Sequence, residues 1–138
     1  MSALKTLPES WCFNFRSIDR EHQALLDQLE QLRDTFGAAE SRPYLRLHSV
    51  LSELRSGMLA HFESEEAEMA SASYPGLSAH AEQHRQAVRQ FDETVRRVSA
   101  AGKAEQRDLH AVIEILIDDI LRADIPFKTH LYASGALR

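Results

Sequence analysis

Four stretches of this chain carry an apolar stripe at helical spacing, and in each the stripe is interrupted near one end by histidine or carboxylate residues. The first helix is expected from about Ser17 to Phe36, with Gly37 marking its end, and its stripe is Ile18, His22, Leu25, Leu29, Leu32 and Phe36. Those steps alternate between three and four residues, the seam of helices that pack side by side. The second helix starts near Pro43, because proline suits a first helical turn, and its stripe is Leu47, Leu51, Leu54, Met58, His61, Glu65 and Met69. Ser73-Tyr74-Pro75-Gly76 then breaks the chain. The third helix, from about Ser78 to Gly102, carries Leu77, His80, His84, Val88, Phe91, Val95 and Val98. The fourth, from about Glu105 to Ile125, carries Leu109, Val112, Leu116 and Asp119, with Ala123 and Asp124 at its end. Pro126 disfavours helical geometry at Ile125 and is expected to stop that helix.

Short connections make neighbouring helices antiparallel. The pattern therefore predicts an all-α fold, an up-down-up-down four-helix bundle over residues 17–125. An N-terminal arm, 1–16, holds Trp11 and Phe13, and a C-terminal tail covers 126–138, all within one domain. In that topology the interruptions fall at the same end of the bundle. His22, His61, Glu65, His80, His84, Asp119 and Asp124 converge in one layer. Burying an unpartnered charge costs several kcal/mol even after relaxation, so seven such groups in an oily layer demand compensation. Metal ions provide it. His61 and Glu65 share one helix face at i, i+4 spacing, as do His80 and His84. Imidazole suits iron, copper, zinc and nickel, and carboxylates can bridge two ions. His48 and His110 fall off this level and read as surface histidines, and Asp118 points about 100° away from Asp119 toward solvent.

Composition narrows the remaining classes. A chain of 138 residues buries a single core without disulfides. A net charge of −5 argues against nucleic acid and, more weakly, against an anionic membrane surface. Cys12 is the only cysteine, which fits a reducing compartment, and the N-terminal residues have no apolar run of signal-peptide length. The longest apolar patch, around Ala111 to Ile117, contains Glu114 and is too short to span a bilayer. A cytoplasmic location is expected.

Three motifs resemble those of the bacterial hemerythrins. Ile18-Asp19-Arg20-Glu21-His22-Gln23-Ala24-Leu25 is similar to I-D-x-Q-H-x-x-L, with Glu21 in the usual glutamine place. His61-Phe62-Glu63-Ser64-Glu65-Glu66 followed by Met69 is similar to H-F-x-x-E-E-x-x-M. Tyr74-Pro75 followed by His80 and His84 is similar to Y-P-x-x-x-x-H-x-x-x-H. The resemblance implies two non-haem irons, one served by His22 and His61 and the other by His80 and His84. Glu65 and a fourth-helix aspartate would bridge them. It also implies a dioxygen pocket near Leu25, Phe62, Ile115 and Ile120, for which plain core packing is the alternative. The family often carries tryptophan where Ile115 stands.

The fourth helix departs from the family's H-I-x-x-x-D. Asp119-Ile120-Leu121-Arg122-Ala123-Asp124 fills that place, so Asp124 matches the bridging aspartate and Asp119 stands where a histidine belongs. Using His130 as the histidine would put Gly135 at the bridging position and Pro126 inside the ligand helix; a tail that folds back to bring His130 over the site is a third arrangement. A carboxylate at 119 favours the ferric state and suits manganese better than imidazole does. The expected partner is dioxygen or a related small molecule, bound for carriage, storage or sensing. An oxidase or peroxidase, and a metal-depleted regulatory module, are the alternatives. No protein partner is legible.

Overall fold

The computed structural model describes residues 16–38, 44–118 and 123–134. Among them are five helices: α1 (Arg16–Ala38), α2 (Tyr44–Ser71), α3 (Leu77–Ala101), α4 (Gln106–Ile117) and α5 (Ile125–Ala133). The arm before residue 16, Pro43, Asp119, Ile120 and the side chain of Phe36 lie outside what is described.

Helices α1 to α4 close a ring in which each packs against the next and α4 returns to α1. Cross-helix contacts give the directions. Glu21 of α1 meets His61 of α2, and Gln28, further along α1, meets the Glu53 carbonyl. The two helices therefore run opposite ways. The pairs His84–Glu66 and Arg55–Asp92 show the same for α2 and α3. Arg97 reaches Asp108 from the end of α3 to the start of α4.

The turns follow from local chemistry. α3 ends at Gly102, whose φ of 69° is left-handed and comfortable only for glycine. Its N–H bonds the carbonyl of Val98 at 2.9 Å. At the start of α4 the backbone N–H of Glu105 donates to Asp108 Oδ2 at 2.8 Å, and the other carboxylate oxygen takes the Arg97 guanidinium at 2.9 Å. One aspartate thus caps a helix and ties it to its predecessor.

The core has two parts. The larger joins Leu25, Leu29, Leu32, Leu51, Leu54, Met58, Phe91, Leu109, Val112 and Leu116. The smaller, at one end, joins Ile18, Met69, Phe127 and Leu131, with Ala72, Tyr74 and Leu77 against it. Along α1 the order is Ile18, His22, Leu25, and along α2 it is Met58, His61, Glu65, Met69. A polar layer is therefore held between two apolar ones.

The C-terminal third differs from the sequence expectation. The fourth helix does not run to Ile125; α4 ends at Ile117, and the winding is π-helical at Asp118 and again at Ala123. Residues assigned to a tail form α5, with Pro126 in its first turn. Proline there lacks only an N–H that a first turn leaves unbonded anyway, and its fixed φ is already helical. So Pro126 starts a helix instead of merely ending one. Gly37, expected to end the first helix, lies one residue inside its last position. α5 lays Phe127 and Leu131 across the bundle end, and His130 Nε2 lies 3.2 Å from the Ala72 carbonyl oxygen. Replacing the fully buried Phe127 by alanine is expected to lower the unfolding free energy by about 3–5 kcal/mol. Denaturant titration measures it, and a loss under 1 kcal/mol would mean that α5 is not part of the core.

Candidate metal centre

Six residues meet in the polar layer: His22 from α1, His61 and Glu65 from α2, His80 and His84 from α3, and Asp124 immediately before α5, all buried. They form two overlapping groups, His22, His61, Glu65 and Asp124, and Glu65, His80, His84 and Asp124. The ligand atoms of each group lie within 4.8 Å of one another.

Each carboxylate divides its oxygens between the groups. Asp124 Oδ2 lies 2.9 Å from His22 Nε2 and 3.9 Å from His61 Nε2. Asp124 Oδ1 lies 2.9 Å from His80 Nε2. Glu65 Oε1 lies 2.9 Å from His80 Nε2 and 3.1 Å from His84 Nε2. Glu65 Oε2 lies 3.4 Å from His61 Nε2 and 3.7 Å from His22 Nε2. That oxygen is buried and makes no hydrogen bond among the described residues. Each group could therefore hold a cation, offering it two imidazole nitrogens and one oxygen from each of two carboxylates. The donor set is one that iron, manganese and zinc accept.

Electrostatics point the same way. In the metal-free chain the imidazoles of His22 and His80 are both pushed from 6.5 up to about 9. Burial opposes the charge in each, but the neighbouring carboxylates of Asp124 and Glu65 outweigh it. Glu65 is held well below the ordinary carboxylate range: burial opposes this too, and the surrounding imidazoles prevail. Protons on histidine supply the positive charge that the two carboxylates require.

The rings are packed as well as bonded. His22 and His61 meet edge-on with centroids 4.7 Å apart, and His80 and His84 do so at 4.4 Å. Phe62 stacks flat on His84, with centroids 3.9 Å apart and planes at 7°. Outside this layer, Glu21 holds His61 Nδ1 at 2.9 Å and Glu66 holds His84 Nδ1 at 2.8 Å. These two glutamates were missed as site residues from sequence. The available signal was that each directly adjoins an inner residue, His22 or Glu65.

Of the seven ligands read from sequence, the structure brings six together, and Asp119 lies outside the described residues. His130 does not join them; its ring nitrogen faces the Ala72 carbonyl and the ring sits 5.2 Å from that of Tyr74. His48, His110 and Asp118 are exposed. Leu25, Phe62 and Ile115 are buried members of the larger core cluster, and Ile120 lies outside the described residues. A groove of about 460 Å³ between α2 and α3, lined by Leu59, Phe62, Glu66, His84 and Val88, reaches a site imidazole.

The family model for the hemerythrin HHE cation binding domain matches residues 14–125. Neither a curated protein nor a solved structure matches the chain. Two outcomes follow from the protonated imidazoles. Their raised values stabilise the metal-free fold fully below pH 6.5, and this contribution is lost as pH rises toward about 9. Cation uptake must displace those protons. Zinc added to metal-free protein in weak buffer at pH 7 is expected to acidify the solution; binding without proton release would contradict the assignment.

Proposed function

The chain belongs to the hemerythrin HHE cation-binding domain family, and from that premise we propose that its buried cluster holds two iron ions and binds dioxygen for carriage, storage or sensing. The observation that carries the reading is the division of Glu65 and Asp124, each turning one oxygen toward His22 and His61 and the other toward His80 and His84. A single-ion site has no need of two carboxylates shared in this way, whereas a pair of like-charged cations requires anionic oxygens between them. A ferrous pair held by His22, His61, His80, His84, Glu65 and Asp124 would supply the redox chemistry that dioxygen binding needs.

The chain's own part is to hold, orient and exclude. His22 and His61 would serve one ion, His80 and His84 the other, with Glu65 and Asp124 as the bridges. Leu25, Leu26 and Met58 on one side and Ile18, Met69 and Phe127 on the other keep bulk water from the layer, which favours a neutral apolar gas over charged competitors. Phe62 fixes the plane of His84 by stacking. By sequence spacing Asp119 is a shorter, anionic residue where the family's motif carries histidine. That substitution supports a second reading, an oxidase or peroxidase, because an anionic ligand favours the ferric state. Among the described residues no helix is long and apolar enough to cross a membrane, and we place the protein in the cytoplasm, with no nucleic-acid or membrane partner.

The test is optical. Iron-loaded protein, reduced without air, is expected to gain visible absorption on exposure to oxygen and to lose it under argon over repeated cycles. One irreversible change with peroxide turnover would favour the second reading. Glu65→Ala is expected to reduce iron from two per chain to one or none; retention of two magnetically coupled irons would remove Glu65 as a bridge.

A further inference from the structure

Adjacent residues on two helices divide the work of the centre in the same way. On α1, His22 faces the cluster while Glu21 reaches His61 on α2. On α2, Glu65 faces the cluster while Glu66 reaches His84 on α3. Neighbouring helical side chains diverge by about 100°, so a single helix can place one group at the centre and the next against the following helix. The outcome is one externally held imidazole at each cation position.

These are not ordinary surface ion pairs. The histidine partners are buried, with 1 % and 3 % of their side chains exposed, while Glu21 and Glu66 keep 31 % and 35 % of theirs in contact with solvent. Each glutamate therefore keeps part of its side chain in water and still fixes a buried ring. A ring nitrogen that donates to a carboxylate keeps its proton at Nδ1 and leaves Nε2 as the basic donor, and Nε2 is the atom facing Glu65 in both cases.

We propose that Glu21 and Glu66 are positioning residues that fix the tautomer and raise the donor strength of His61 and His84, one for each cation position. Glu21 does so with a full negative charge where the resembled motif carries neutral glutamine. The consequence, among the described residues, is a centre with four carboxylates around four imidazoles, tighter for cations at the His22–His61 position than a glutamine there would make it. This rests on the reading of the layer as a two-cation centre.

The test uses cobalt(II), titrated into the metal-free chain and followed by its visible spectrum, with Glu21→Gln, Glu21→Ala, Glu66→Gln and Glu66→Ala beside the parent. Each alanine variant is expected to weaken one of the two binding steps by about 10–100-fold and leave the other near its parent value. Glu21→Gln retains a hydrogen-bond acceptor and loses the charge, so its loss is expected to fall between the parent and Glu21→Ala. Nitrogen-15 NMR supplies a readout independent of the metal: the Nδ1–H of His61 is expected to exchange with water faster in Glu21→Ala, and that of His84 in Glu66→Ala. Two cobalt ions bound by the parent and equally well by both alanine variants would overturn this inference alone. A parent that takes up no cobalt would overturn the cation-centre reading and this inference with it.

Discussion

Two carboxylates with no exposed surface, Glu65 and Asp124, sit between two apolar clusters, and the rest of the structure is arranged around neutralising them. Each ion taken from water into such a place costs several kcal/mol after relaxation. Four imidazoles surround them, so the layer always has a source of positive charge: protons when metal is absent, cations when it is bound. Histidine suits both states, because the nitrogen that carries a proton in the metal-free layer serves as a ligand once that proton is displaced. Lysine or arginine would neutralise the carboxylates permanently and leave no place for a cation.

Asp124 must enter the layer from the chain that follows α4, and it does so where the helix widens into π-helical winding at Asp118 and Ala123. Such winding rephases the side chains that follow. α5 then anchors the segment through Phe127, Leu131 and the contact of His130 with the Ala72 carbonyl. The seal over the layer and the placement of Asp124 thus depend on adjoining residues of the chain.

Much of this was legible in the sequence because burial and periodicity leave a pattern there. His22, His61, Glu65, His80 and His84 each break an otherwise apolar stripe, and antiparallel packing carries those breaks to one end. Asp124 followed from its spacing at the end of the fourth stripe and from the family's motif. What stayed hidden depends on rotation and not on periodicity. A proline after a helix and a proline opening the next are the same letter, so α5 was read as a tail. The contacts of Glu21 and Glu66 depend on the angle at which each helix faces its neighbour, which a single stripe does not encode. Of the four apolar residues read as an oxygen pocket, Leu25, Phe62 and Ile115 are members of the larger core cluster, and an apolar stripe does not distinguish core from pocket.

The central claim is that this layer holds two cations bridged by one chain's carboxylates. The most direct measurement is metal content per chain, by mass spectrometry, on protein purified without chelator. Two irons per chain are predicted. One ion per chain, or none after supplementation with iron, would contradict the paired centre and leave a buried histidine–carboxylate network with a structural role.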